Sequence, residues 1–113
     1  MGTSGSHMYF KPNHLDLETG KAYKLVIINV DVQKHELDPH EFVEMIFTRK
    51  VEVLGANGKT IAEIKGAVRE IELLPKGSAE WFFVPVQTAE NVEMECAIPG
   101  HKEAGMVGTI TIR

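Results

Sequence analysis

From Tyr9 onward the chain alternates apolar and polar positions in short runs broken by turn residues, the period of half-buried strands. Near the end, Val92, Met94 and Cys96 alternate with Glu93 and Glu95, and Met106, Gly108, Ile110 and Ile112 alternate with Thr109 and Thr111. Both runs predict strands with the sulfur side chains on the inward face. Upstream, residues 13–17 form a short alternating stretch, and Glu18-Thr19-Gly20-Lys21 supplies a turn. Residues 22–30 are rich in β-branched and aromatic side chains, as a buried strand requires. Residues 31–39 are polar and read as irregular.

Residues 40–47 fit either a strand or a helical turn, because Phe42, Met45 and Ile46 also line one side of a helix. Residues 48–54 alternate with Val51 and Val53 inward, and Asn57-Gly58 is the pair favoured in tight hairpins. A short strand is expected over 60–64, and a further alternating run over 67–73, with Arg69 as its exception. Residues 79–86 are the most apolar stretch and predict a strand through the core, with Pro85 implying an edge or a bulge. Residues 87–91 read as a loop. Many short strands and no long helical pattern predict an all-β Greek-key β-sandwich or barrel with little helix.

Size and charge narrow the picture. Residues 1–8 read as a cloning remnant and are set aside, which leaves roughly 105 residues (9–113) for one domain with a single core. No apolar run is long enough for a transmembrane segment, and at 43% apolar and 25% charged residues the chain is expected to be globular. A net charge of −4 without a basic stripe argues against nucleic acid and is compatible with a basic redox partner. The single cysteine rules out an internal disulfide.

That cysteine carries the candidate chemistry. Cys96 is followed by His101 and then Met106, with four residues in each gap. Singly, each has an ordinary explanation: a buried thiol as apolar filler, a histidine beside Pro99-Gly100 as a turn residue, a methionine as core. Together, on strands whose parity turns both sulfurs inward, they make a mixed soft-sulfur and imidazole set suited to an ion cycling between Cu(II) and Cu(I). Zinc also accepts cysteine and histidine. Trp81, Phe82 and Phe83 are read as core.

The segment from Cys96-Ala97-Ile98-Pro99-Gly100-His101 to Ala104-Gly105-Met106-Val107-Gly108-Thr109 resembles the ligand loop of the cupredoxins, the blue (type 1) copper proteins. Weaker similarity lies in residues 15–21, 39–42 and 74–77. The loop spacing is similar to rusticyanin and auracyanin rather than plastocyanin. The resemblance implies one copper ion held by two histidines, a thiolate and a weak axial methionine. It places Cys96, His101 and Met106 at three of these positions and maps the upstream ligand onto His40. His14 and His35 are the other candidates; His40 is favoured because, in a strand, it would share a face with the core residue Phe42. Glu41 stands where many cupredoxins carry an asparagine that ties the ligand loops together, so it is a candidate tuning residue.

The resemblance further implies a monomeric, non-enzymatic electron carrier of the periplasm or another extracytoplasmic space. Its redox partner would be a cytochrome or copper enzyme, docking on an apolar rim of Ile98, Pro99, Ala104 and Val107. The alternative is a copper-binding protein for tolerance or delivery.

Overall fold

The computed structural model describes all 113 residues. In chain order the strands are β1 (Gly2–Ser4), β2 (His7–Tyr9), β3 (His14–Leu17), β4 (Tyr23–Ile28), β5 (His35–Leu37), β6 (Ile46–Leu54), β7 (Thr60–Lys65), β8 (Ile71–Leu73), β9 (Ser78–Pro85), β10 (Ala89–Glu95) and β11 (Val107–Ile112). One 3-10 helix, His40–Glu44, precedes β6. No helix is long and apolar enough to cross a membrane.

Two sheets form the sandwich. One has the order β4-β9-β6-β7 and is antiparallel throughout; the other has the order β10-β11-β3, its last pair parallel. Strand β9 is central because its alternation is strict: Ala79, Trp81, Phe83 and Pro85 are buried while their neighbours are partly exposed. Pro85 ends β9 opposite Ile46, where a missing N–H interrupts no strand interior. Facing these residues, β10 and β11 contribute Val92, Met94, Ile110 and Ile112, all buried as their parity predicts. Thr111 departs from that parity: it too is buried, and its hydroxyl accepts the Asn91 N–H at 3.2 Å.

The Asn57-Gly58 turn closes the β6–β7 hairpin, with Gly58 at φ 78° and the Gly55 N–H donating to the Lys59 carbonyl at 2.8 Å. Two expectations are corrected and one open alternative is decided. Residues 31–39 are not all irregular, since β5 pairs with β8 and puts His35 and Leu37 on the buried side. Residues 40–44 take the helical alternative, as a 3-10 helix, which seats Phe42 edge-on against Trp81 and Phe83, with ring centroids 6.3 and 5.5 Å apart. Of residues 67–73, only β8 is a strand.

Residues 1–8 belong to the packed structure. The β1–β2 hairpin pairs Gly2 with Tyr9, and the Met8 N–H donates to the Ala104 carbonyl at 2.9 Å. Strand β2 thus lies along the loop that follows Cys96.

Candidate metal centre

Strand β10 brings Cys96 into the interior, 1% exposed, at the end of the row that begins with Val92 and Met94. The following loop folds back through successive turns: the His101 N–H donates to the Ile98 carbonyl at 3.1 Å, and the Gly105 N–H to the Lys102 carbonyl at 2.9 Å. Gly100 (φ 87°) and Gly105 (φ 109°) take the left-handed backbone these turns need. Met106 locks the loop's two ends, its N–H donating to the His101 carbonyl and its carbonyl accepting the Cys96 N–H, each at 3.1 Å. Its side chain is fully buried.

The histidine brought to this loop is His35. Its Nδ1 lies 3.2 Å from His101 Nδ1, which lies 3.4 Å from Cys96 Sγ, and the three donor atoms are all within 4.8 Å of one another. Donors bound to one first-row ion at about 2.0–2.3 Å stand roughly 3–4 Å apart, so this trio has the spacing of a shared ion. The set fits copper: a thiolate and two imidazoles, with a thioether on the loop's last residue.

Surrounding groups prepare the donors. The Asp31 carboxylate accepts the His35 Nε2–H at 2.7 Å, which leaves the lone pair of neutral His35 on Nδ1, facing the trio. Hydrogen bonds from the Thr3 hydroxyl and from His35 hold Asp31 well below the usual carboxylate range. The Glu36 N–H donates to Cys96 Sγ at 3.2 Å. Burial raises the Cys96 thiol above its ordinary pKa, with the backbone amides of Glu36 and Ile98 pulling the other way. Burial first, and then the neighbouring His35, lowers His101. Without an ion the pocket therefore favours neutral thiol and neutral imidazole, so metal binding must release the thiol proton.

His40 is not brought to this trio. It opens the 3-10 helix at φ 51°, and its Nε2 lies 3.1 Å from Glu95 Oε1, out of line for a hydrogen bond. Glu95 Oε2 is paired at 2.9 Å with Lys102. The same-face argument from Phe42 fails because residues 40–44 are helical, not extended. His35, read as a solvated loop residue, is instead fully buried. Strict alternation in Lys34-His35-Glu36-Leu37-Asp38 was the signal that could have singled it out. His14 lies on β3, with Nδ1 2.7 Å from the Thr109 hydroxyl. Glu41 is exposed, and the residue after the structural histidine is Glu36, whose backbone N–H rather than its side chain reaches the other ligand loop. Around His101, itself only 8% exposed, Pro99 and Val107 are exposed and Ile98 and Ala104 partly buried.

A buried thiol and two imidazoles between the ends of a Greek-key sandwich define a cupredoxin-type copper centre. The sequence profile of the copper binding proteins, plastocyanin/azurin family, matches residues 1–113, and the chain belongs to that family. A search of curated protein sequences finds no match. Among solved structures, a dithionite-reduced auracyanin of the photosynthetic bacterium Roseiflexus castenholzii is similar over 99% of this chain and 93% of its own, at 16% identity and a TM-score of 0.60. A multicopper oxidase of Campylobacter jejuni matches 87% of this chain at 19% identity and a TM-score of 0.67. A copper nitrite reductase of Nitrosomonas europaea matches 88% at 13% identity and a TM-score of 0.64. The chain spans only 20% of the oxidase and 32% of the reductase. These likenesses establish the shared fold.

Proposed function

We propose that this is a one-electron carrier in which His35, Cys96 and His101 would hold a single copper ion, with the buried Met106 thioether on the same loop as the candidate fourth donor. The observation that supports it is the convergence of His35 Nδ1, Cys96 Sγ and His101 Nδ1 in one buried pocket. Bound copper supplies the Cu(II)/Cu(I) couple. The protein's part is to change little between the two states, since every rearrangement adds to the transfer barrier. Each donor is tied by its backbone or by a second hydrogen bond: His35 to Asp31, Cys96 to the Glu36 amide and to Met106, His101 to Ile98 and Met106. The Glu36 N–H also stabilises the thiolate form once the proton has left.

The likeness to auracyanin over nearly the whole of both chains supports the carrier reading. An extracytoplasmic setting and a redox protein partner accompany that reading. Ile98, Pro99, Ala104 and Val107 would form the docking rim, small enough for fast release.

The test is to add Cu(II) to the copper-free protein and follow its spectrum and voltammetry. Intense thiolate-to-copper absorption, bleached by a reductant, lost in Cys96→Ser, and accompanied by a reversible potential, is the expected outcome. Irreversible reduction together with rapid loss of copper to a chelator would instead favour copper tolerance or delivery. Ala104→Lys should slow exchange with a redox partner while leaving the spectrum unchanged.

A further inference from the structure

Strand β3 ends one sheet and β4 ends the other, and no ladder joins them. Leu15 on β3 and Leu25 on β4 share the parity of the buried residues Leu17 and Ile27, yet both are only partly buried. The sandwich is therefore open along this seam. Between the two strands lies a cavity of about 340 Å³, and 14 of its 17 lining residues are hydrophobic. Its walls reach Phe42, Trp81 and Met94 in the core, and Lys11 is the sole charged side chain among the lining residues.

An apolar cavity of about 150 Å³ stays dry and takes benzene, so this one has room for roughly twice that bulk and little to hold water in place. A polar metabolite would lose its hydration here without finding partners. A flexible alkyl chain would lose none, and the only charged groups among the lining residues, the Lys11 side chain and the Met1 α-ammonium that donates to the Ile28 carbonyl, are both cations and select a negative head group. We infer that the seam between β3 and β4 binds one medium-chain fatty carboxylate, its alkyl chain against Trp81 and Phe42 and its carboxylate at Lys11. This assignment is independent of the copper centre.

Trp81 is the only tryptophan and is fully buried, so its emission reports directly on occupancy. The full 113-residue chain is titrated with six-, eight-, ten- and twelve-carbon carboxylates below their micelle concentrations, by fluorescence and calorimetry. Binding should saturate at one per chain and tighten about fourfold with each added methylene until the cavity is full. Lys11→Ala, at an exposed position, should weaken the carboxylates by about two- to fivefold and leave the matching alcohols unchanged. Leu25→Trp should block acids and alcohols alike; if that variant does not fold, the chain-length series and Lys11→Ala decide. The proposal is overturned if no chain length gives a saturable change in Trp81 emission, or if affinity is flat with chain length. Equal losses of acid and alcohol in Lys11→Ala would also overturn it.

Discussion

His35 donates its Nε2–H to Asp31 Oδ2 across 2.7 Å, from a ring with no exposed surface. That bond sets which nitrogen of His35 carries the lone pair, and it lends the imidazole negative character from behind. Asp31→Ala should therefore lower copper affinity by roughly 10- to 100-fold while the thiolate-copper absorption persists. Asp31→Asn, which keeps an acceptor but loses the charge, should fall between the two and raise the reduction potential. Competition with a chelator and voltammetry measure both; unchanged affinity in Asp31→Ala would reduce Asp31 to a loop tie.

The two upstream histidines give opposite expectations. His35→Gly should abolish the intense absorption, and added imidazole should restore it by filling the vacated space. His40→Ala should retain the absorption, because its ring faces Glu95 rather than the thiol. Cu(II) titration of both variants decides the matter, and the reverse pattern would reinstate His40 as ligand.

Glu36 sits among acidic neighbours, and burial together with the adjacent Glu70 raises its carboxyl from about 4.5 to about 7. Between those values the folded chain holds a proton that the unfolded chain has released. The copper-free protein should therefore keep this contribution below about pH 4.5 and lose it progressively as pH rises through about 7. Glu36→Gln should flatten that decline, and melting temperatures taken every half pH unit would reveal it. A slope identical to the parent protein's would show that Glu36 titrates normally.

Gly108 lies where β11 begins to run alongside β3 in the same sheet. A Cβ there would meet the Met94 methyl and come within 2.5 Å of the Asn13 carbonyl oxygen, and backbone yields little. Gly108→Ala should cost about 1–3 kcal/mol and lower the melting temperature by several degrees, although its φ is ordinary. Calorimetry of the copper-free form checks it; an unshifted melting temperature would mean that the parallel β3–β11 pair slides apart readily.

Phe42 anchors the 3-10 helix on the aromatic core through Trp81 and Phe83. Phe42→Ala should destabilise by about 3–5 kcal/mol, read as a fall in the denaturant midpoint. A loss below about 1 kcal/mol would mean that the helix is held by its backbone bonds alone.

The residues that were legible in advance are those governed by local alternation. Val92, Met94 and Cys96 on one strand, and Met106, Ile110 and Ile112 on the next, carry their inward parity in the chain itself, and the structure buries all six. The same holds for Trp81 and Phe83 on β9. Parity failed at His40 because it assumed extended backbone where the chain turns into a 3-10 helix. It was not applied at His35, where a short strand hides in a polar stretch and polarity was taken for a loop.

Primary structure alone determined the all-β class, the hairpin carrying Cys96, His101 and Met106, and the copper chemistry that this donor set implies, because these depend on neighbours close in the chain. Only the tertiary structure decided which distant histidine faces the thiol. That choice rests on β5 pairing with β8 and on the Asp38–Glu95 bridge, contacts between segments more than thirty residues apart. A shift of one residue in such a pairing would turn His35 to the opposite face, so the histidine that faces the thiol is set by register across the sandwich and not by composition near it.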